Sequence, residues 1–331
     1  MKILVTGVAG FLGSNLVPLL LGAGWDVVGF DDLSHGFLRN VEPFLEHPRF
    51  TFVRGDVRDL AAMQAAGAGA GAVVHLAAGK IPRYGNSLET LEVNLLGGRH
   101  ALEVCRVNRA RAVIASTSDV YGMSDALPFR EDGRQVYGPP TVRRWCYAVS
   151  KLADEHLALA YRESYGTEVV LLRFFGAYGE NQNVTWWGGP QSVFIGAALR
   201  DQPVDIHGDG LQTRSFTYVG DTVRGIFAAI TEPRADGEVF NIGNDREITI
   251  RGLAEMVWGI VRPGTEPRLK IVPYETFGKY EDVRHRVPDT TKAREILGFE
   301  ATVPLEVGLP RAAAWQARIE GLDFPAGALT A

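Results

Sequence analysis

Short apolar runs alternate with longer amphipathic segments through the first half of the chain. The apolar runs are rich in Val, Ile and Leu, which is typical of strands buried on both faces. This alternation predicts an α/β fold with a doubly wound parallel sheet. The predicted strands are residues 2–5, 25–30, 50–53, 71–76, 111–115 and 168–172, and the predicted helices between them are 11–23, 60–66, 88–108 and 147–165.

The pattern changes after residue 175. Residues 180–215 are dense in Gly, Asn and Trp and predict a long loop. We expect a first domain over residues 1–175 and a smaller, mixed α/β region over 176–331, with segments near 215–245 returning to the first domain. Further helices are predicted at 191–200, 221–231, 250–261 and 291–297.

Composition narrows the classes of function. The chain has 331 residues, of which 46% are apolar and 22% are charged, so it can bury a large core. Its net charge of -5 argues against nucleic acid as a partner. The sequence has two cysteines, no secretory signal pattern and no apolar run of about 18 residues. These features predict a cytoplasmic protein that does not span a membrane, and no metal site is predicted.

A glycine-rich turn, TGVAGFLG, links the first predicted strand to the first predicted helix. Gly7 permits a tight turn, Gly10 lets the backbone approach a pyrophosphate, and Gly13 allows the helix to pack closely on the strand. The N–H groups at the start of the helix would then face the anion. A glycine turn without a ligand is the alternative.

Acidic residues after the next two strands extend this prediction to a dinucleotide. Asp31, beside Asp32, follows the glycines by about 20 residues, where a carboxylate binds the adenosine ribose. An acid at this position disfavours a 2′-phosphate, so NAD is favoured over NADP. Asp56, after the third strand, is a candidate contact to the adenine edge or, equally, a helix N-cap.

Tyr147 and Lys151 lie four residues apart and so share one face of a predicted helix. A phenol titrates near pH ~10, but a nearby ammonium and a positive nicotinamide ring favour the phenolate. We therefore predict that the pKa of Tyr147 is lowered and that Tyr147 is a base for a sugar or alcohol hydroxyl. A tyrosine packed on a lysine stem is the alternative, which the position after the fifth strand disfavours.

Seven motifs occur in a fixed order from residue 2 to about residue 315: TGVAGFLG, HLAA, STSDVYG, YAVSK, RFFGAYG, GDGLQTRSFTYVGD and VPDTTKAREILGF. In them the chain resembles the extended short-chain dehydrogenase/reductase family, in its nucleotide-sugar epimerase, dehydratase and decarboxylase branch. The resemblance implies a Rossmann-type domain that binds NAD and a C-terminal region that binds a nucleoside diphosphate sugar. The cofactor-binding residues that it implies are Gly7, Gly10, Phe11, Leu12, Gly13, Asp31, Asp32, Asp56, Val57, Leu76, Ala77, Ala78, Tyr147 and Lys151.

The resemblance also implies catalytic roles. Tyr147 takes the proton of the sugar C4 hydroxyl, Thr117 bonds the C4 oxygen, and Lys151 binds the nicotinamide ribose and lowers the pKa of Tyr147. The helices at 88–108 and 147–165 match the pair that usually forms a homodimer interface in the family, although they are equally suited to covering the sheet.

Several residues are implied on the substrate side. Arg214 matches an arginine that clamps the diphosphate, a bidentate task that suits a guanidinium group. Arg286 is a second candidate, and the stretch around it resembles uronic-acid decarboxylases, as does Arg144 in RRWCY; a solvated arginine at a helix start is the alternative for Arg144. Gly176 stands where the family usually has an Asn that contacts substrate. The predicted substrate-binding set is Lys80, Ser118, Arg144, Gly176, Gln191, Arg214 and Arg286, with Trp186 and Trp187 as candidates for stacking on a sugar or base or for burial against the domain.

The reaction depends on Asp119, which follows Thr117 and Ser118. Dehydratases of the family often have Asp-Glu after the Thr, whereas decarboxylases read Thr-Ser-Glu, one methylene longer than the Thr-Ser-Asp found here. The prediction is an NAD-dependent nucleotide-sugar 4-epimerase, an isomerase acting through a 4-keto intermediate on a UDP-sugar, with a uronic acid as one candidate sugar. A UDP-glucuronate decarboxylase (a lyase), a 4,6-dehydratase and a non-catalytic NAD-binding module are the alternatives.

Overall fold

The computed structural model describes residues 1–80, 86–277 and 281–325. Its strands are β1 (Lys2–Thr6), β2 (Asp26–Asp31), β3 (Phe50–Arg54), β4 (Ala72–His75), β5 (Arg111–Thr117), β6 (Val169–Phe174), β7 (Gly176–Tyr178), β8 (Val204–His207), β9 (Thr213–Tyr218), β10 (Glu238–Ile242), β11 (Glu247–Thr249) and β12 (Leu269–Val272). Its helices are α1 (Phe11–Gly22), α2 (Leu60–Gly67), α3 (Ser87–Asn108), α4 (Arg144–Tyr165), α5 (Pro190–Leu199), α6 (Val219–Thr231), α7 (Ile250–Val261), α8 (Thr291–Leu297) and α9 (Leu305–Glu320).

Seven parallel strands form the main sheet in the order β10-β6-β5-β4-β1-β2-β3. β1 lies between β2 and β4, with Val5 opposite Gly29 on one side and Val74 on the other. The strand order reverses between β1 and β4, and ligands bind open α/β sheets in the crevice at such a point. The predicted α/β fold with a doubly wound parallel sheet is therefore confirmed.

Helices bury both faces of this sheet. On one face, Leu16 and Leu20 of α1 pack in the same core as Ile226 of α6. On the other face, Leu102 of α3 and Tyr161 of α4 pack against the opposite side of the strands. Because both faces are covered, the strands are apolar along nearly their whole length, as the sequence pattern indicated.

The C-terminal region packs α5, α7 and α9 around a third core. It also carries a three-stranded sheet, β11-β9-β7, and the strand pair β12-β8. β10 lies in the main sheet beside β6, while the division of the chain at residue 175 stays a prediction. Within the described residues, no helix is both long and apolar enough to cross a membrane.

Two predictions about local structure are wrong. The long loop predicted over residues 180–215 contains β8, which was not predicted. It also contains α5, which agrees with the helix predicted at 191–200 and begins at Pro190, where a missing N–H costs nothing. The helix that carries Tyr147 begins at Arg144, three residues before the predicted start at 147. This earlier start places Arg144 in the first turn of α4, on the same helix as the proposed catalytic pair.

Candidate active site

The loops at the carboxyl ends of β1 to β5 surround a cleft of about 780 Å³. All of the predicted catalytic, cofactor-binding and substrate-binding residues line this cleft, with the single exception of Arg214. The fold thus brings together residues that lie up to 279 positions apart in sequence, Gly7 and Arg286 being the extremes.

The glycine-rich turn has the geometry that the sequence predicted. Gly7 has φ +71°, and a Cβ there would lie 2.7 Å from the backbone nitrogen of Ala77. A Cβ on Gly13 would collide with the backbone of Gly7 and Val8, so the absence of a side chain lets α1 pack on the turn. No side chain caps α1 at Gly10, which leaves the first N–H groups of the helix facing the cleft.

The acidic residues near this turn differ in their surroundings. Asp31 is buried and accepts hydrogen bonds from the N–H groups of Ala9 (2.9 Å) and Leu33 (2.8 Å), so it is fixed at the end of β2. Asp56 also lines the cleft, but it binds Arg58 and does not cap α2. The N-cap of α2 is Asp59, which accepts from the Ala62 N–H at 3.0 Å, so the capping alternative for Asp56 is wrong.

Tyr147 lies on the first turns of α4 and faces the end of β5. Burial raises the pKa of Tyr147 above its ordinary value, the Asp119 charge adds to this rise, and a hydrogen bond with Thr117 opposes it. The predicted lowering of this pKa by Lys151 is not found, because burial and the Asp119 charge act in the opposite direction. The Lys151 Nζ donates to Asp154 Oδ2 at 2.7 Å.

Two guanidinium groups converge on Asp119. Its Oδ1 lies 2.8 Å from Nη2 of Arg286 and 3.2 Å from Nη2 of Arg144, and both arginine side chains are largely buried. Burial alone would raise the pKa of Asp119, but the charges of Arg286 and Arg144 lower it to about 2. The buried Nε of Arg286 has no partner among the described residues. The alternative of a solvated Arg144 is therefore wrong. Arg144 and Arg286 line the cleft and together form a candidate anion-binding group.

Arg214 lies in an adjoining cavity of about 230 Å³, which shares Gly176 and Arg286 with the main cleft. Its Nη2 lies 3.3 Å from Asp282 Oδ1. The two candidate stacking residues point to different places. Trp186 stacks on His207 in this smaller cavity, with ring centroids 4.3 Å apart, whereas Trp187 contacts His35 beside the main cleft.

Gly176 begins β7 and lies opposite Phe216 of β9. A Cβ at this position would lie 2.7 Å from the carbonyl oxygen of Ser215 and 3.0 Å from the ring of Phe216. An Asn side chain therefore does not fit here without moving β9. Gln191 is a candidate for the missing contact, because its buried Oε1 lacks a partner among the described residues and the side chain lines the cleft.

A buried polar network holds the strand ends beneath the cleft. Ser116 donates to Glu155 Oε1 at 2.5 Å, and Arg173 binds both oxygens of Glu155 at 2.9 and 2.7 Å. Arg173 also donates to the Tyr121 hydroxyl, which donates to Asn241. The network connects β5, α4, β6 and β10, and thereby fixes the residue next to Thr117.

His75, at the end of β4, is fully buried, with its Nδ1 2.8 Å from the Thr6 hydroxyl. Burial lowers the pKa of His75 to about 3, with the Lys151 charge and His100 as further causes. The unfolded chain protonates this histidine near pH 6.5, whereas the folded chain resists protonation down to about pH 3. Lowering the pH through this window therefore favours the unfolded state.

We expect His75→Asn to remove part of the acid sensitivity of the fold. In the wild-type protein, His75 alone should lower the free energy of unfolding by roughly 2 kcal/mol between pH 7 and pH 5. Urea titrations at pH 5, 6 and 7 should show a flatter pH dependence for His75→Asn, and an unchanged one for the control His47→Asn at an exposed position. Parallel curves for His75→Asn and wild type would contradict the assignment.

The sequence profile of the NAD dependent epimerase/dehydratase family matches residues 3–243. The chain belongs to this family. UDP-glucuronic acid decarboxylase 6 from Arabidopsis thaliana is 35% identical over 314 residues, which are 94% of this chain and 87% of that protein.

Two further relatives of this epimerase/dehydratase family member carry uronic acids in their names. UDP-N-acetyl-alpha-D-glucosaminuronate decarboxylase from Bacillus cytotoxicus is 32% identical over 323 residues, or 96% of this chain and 98% of that one. The structure of UDP-glucuronic acid 4-epimerase from Bacillus cereus, in complex with UDP-glucuronic acid and NAD, has a TM-score of 0.86 and 30% identity, and the match covers 96% of this chain and 100% of that one.

NAD is the cofactor of this family member. The residues present fit it. The uncapped start of α1 offers N–H groups to the pyrophosphate, and Asp31 stands at the end of β2 where the ribose binds. Sequence reasoning missed Asp154, Glu155 and Arg173. The spacing of Lys151 and Asp154, one turn apart on a helix, was a usable signal for the first of these.

Proposed function

We propose that the protein is an NAD-dependent decarboxylase of a UDP-linked uronic acid, acting through a C4 ketone. The observation that carries this proposal is the convergence of Arg144 and Arg286 on the cleft beside Tyr147. A neutral sugar ring offers no anion to two guanidinium groups that share the single carboxylate of Asp119. A uronic acid does, because its C6 carboxylate is an anion that bidentate guanidinium groups bind well.

The relatives support the same class of substrate. All three relatives named above act on uronic acids by name, and two of the three are decarboxylases. Thr117-Ser118-Asp119 also resembles the decarboxylase pattern more than the dehydratase one. These observations support decarboxylation over the epimerisation that the sequence motifs alone favoured.

The cleft side chains have clear roles in this chemistry. Thr117 holds the C4 oxygen while Tyr147, as the phenolate, takes the proton of the C4 hydroxyl. NAD, when bound, would supply the hydride acceptor for C4, and its positive nicotinamide ring would favour that phenolate. With C4 as a ketone, the C6 carboxylate lies β to a carbonyl, so the C5–C6 bond breaks, carbon dioxide leaves and the electron pair moves towards the C4 oxygen. Protonation at C5 restores the ketone, and the Tyr147 proton returns when C4 is reduced.

A 4,6-dehydratase is disfavoured by the state of Asp119. That reaction needs a base that removes the C5 proton, and a carboxylate with a pKa of about 2, held by two arginines, is a weak base. Epimerisation at C4 of the same uronic acid is the second candidate. The observation that favours it is the close structural match to UDP-glucuronic acid 4-epimerase.

The test is a product assay with UDP-glucuronate, UDP-N-acetylglucosaminuronate and UDP-glucose in the presence of NAD. We expect release of carbon dioxide and a UDP-pentose, or its acetamido counterpart, from one uronate, and no reaction with UDP-glucose. A product of unchanged mass with inverted C4 would replace decarboxylation by epimerisation. Binding of NAD without turnover of any nucleotide sugar would favour the non-catalytic module.

We also propose a homodimer through α3 and α4. These two helices expose apolar side chains that the rest of the described chain does not cover, namely Leu88, Leu95, Leu96, Val149 and Leu159. Apolar residues grouped on adjacent helices are typical of an interface. We expect the protein to sediment at twice its chain mass of 36.1 kDa, and a monomer at micromolar concentration would refute the proposal.

A further inference from the structure

Lys151 has an ionic partner that no part of the proposed chemistry requires. Its Nζ lies 2.7 Å from Oδ2 of Asp154, one turn further along α4. The two side chains are 2% and 1% exposed, so the ion pair is shielded from water on all sides but the cleft, which Lys151 lines.

The surrounding structure makes room for this carboxylate. Gly98 of α3 lies against it, and a Cβ on Gly98 would collide with Asp154 Oδ1. That oxygen is buried and has no hydrogen-bond partner among the described residues. A buried ion pair is seldom more stable than well-packed apolar residues of the same volume. Stability therefore explains poorly why a buried carboxylate with one unpaired oxygen stands at position 154. An effect of this carboxylate on Lys151 explains it better.

We propose that Asp154 is a positioning residue, which holds the Lys151 ammonium at the wall of the cleft and offsets its charge next to Tyr147. An ammonium has three N–H donors, and Asp154 takes one of them. Two donors remain to face the cleft, where the nicotinamide ribose is expected. This inference rests on the proposed roles of Tyr147 and Lys151 in the C4 oxidation.

The charge of Asp154 also has a direction of effect on the catalytic phenol. A carboxylate near a phenol disfavours the phenolate, and Asp154 is one of the groups that raise the pKa of Tyr147. Replacing Asp154 by a neutral isostere should therefore lower this pKa. The other charged or titratable groups that face Tyr147, Lys151 or Asp154 are Asp119, Glu155, Arg286 and His75, and they remain in the variant.

The test compares Asp154→Asn and Asp154→Leu with the wild-type protein. Asn keeps an oxygen that accepts from Lys151 but removes the charge, whereas Leu removes both. For Asp154→Asn, the ascending limb of kcat/KM against pH should move to lower pH by about 0.5 unit or more, with NAD affinity within about 3-fold of wild type. For Asp154→Leu, NAD titrated into the cofactor-free protein should bind about tenfold more weakly.

Asp221→Asn is the matched control, because Asp221 is a fully buried carboxylate paired with Arg224 outside the cleft. It should move neither the pH profile nor the NAD affinity. If the Asp154 variants match wild type in both measurements, or lose only stability, the positioning role is overturned. If the wild-type protein turns over no nucleotide sugar, the proposed function is refuted but the positioning role is not. The NAD titration of Asp154→Leu still tests whether Asp154 positions Lys151.

Discussion

Tyr147→Phe is expected to abolish turnover while leaving NAD binding and the fold intact. In the proposed mechanism the phenol takes and returns the C4 proton, so its loss should remove general acid–base catalysis worth about 10²- to 10⁴-fold. The ring remains to pack at the start of α4, so stability should change little. The measurements are kcat/KM with UDP-glucuronate, NAD affinity and the urea midpoint.

The matched control for this substitution is Tyr165→Phe. Tyr165 is the last residue of the same helix and is exposed, so this substitution removes the same hydroxyl group at a position far from the cleft. Its activity should remain at the wild-type level. Turnover by Tyr147→Phe within a few-fold of wild type would remove Tyr147 from the proposed mechanism, and a parallel loss of NAD affinity would assign it to cofactor binding instead.

Much of the first half of the fold was predictable from the sequence because its parallel strands are buried on both faces. Such strands are continuous apolar runs, and the six predicted strands all lie in the main sheet. The seventh strand of that sheet, β10, was not predicted. It contains Glu238 and Asn241, and the buried Asn241 side chain is satisfied by the Tyr121 hydroxyl and by the carbonyls of Phe129 and Asp289. The first two partners lie more than 100 residues away in sequence and the third lies 48 away.

The candidate site was likewise predictable where local spacing sets the geometry. Gly7, Asp31 and Tyr147 belong to such motifs, so their position in the cleft could be predicted from the sequence. The Asp119–Arg286 contact could not, because residues 119 and 286 meet only when the C-terminal segment folds over the end of β5. The pKa of Tyr147 is raised in the structure, opposite to the predicted direction, for a related reason. Burial of the phenol and the charges of Asp119 and Asp154 raise it, and these depend on the fold, whereas the spacing to Lys151 is visible in the sequence.

The contact between Asp119 and Arg286 leads to the second large effect. In the structure, Asp119 is the anion that lies between Arg286 and Arg144. Nη2 of Arg286 lies against Asp119, and the side chain lines the cleft, so further N–H groups of the guanidinium can bind a carboxylate there without releasing Asp119. Since Arg286 lines both the main cleft and the cavity that contains Arg214, it is placed to contact either a sugar carboxylate or a diphosphate.

Arg286→Gln is expected to weaken the binding of UDP-glucuronate by about 10²- to 10³-fold, because it removes one partner of a desolvated charge pair. The binding of UDP and UDP-glucose, which lack the C6 carboxylate, should change by less than about threefold. Arg284→Gln is the matched control, since Arg284 lies two residues away and its exposed side chain binds Asp209. Calorimetric titration of the three nucleotides into both variants and the wild type makes the distinction. An equal loss of affinity for all three nucleotides would assign Arg286 to the diphosphate and remove the main support for a uronic acid substrate. A loss confined to UDP-glucuronate would assign Arg286 to the C6 carboxylate, the group that leaves as carbon dioxide.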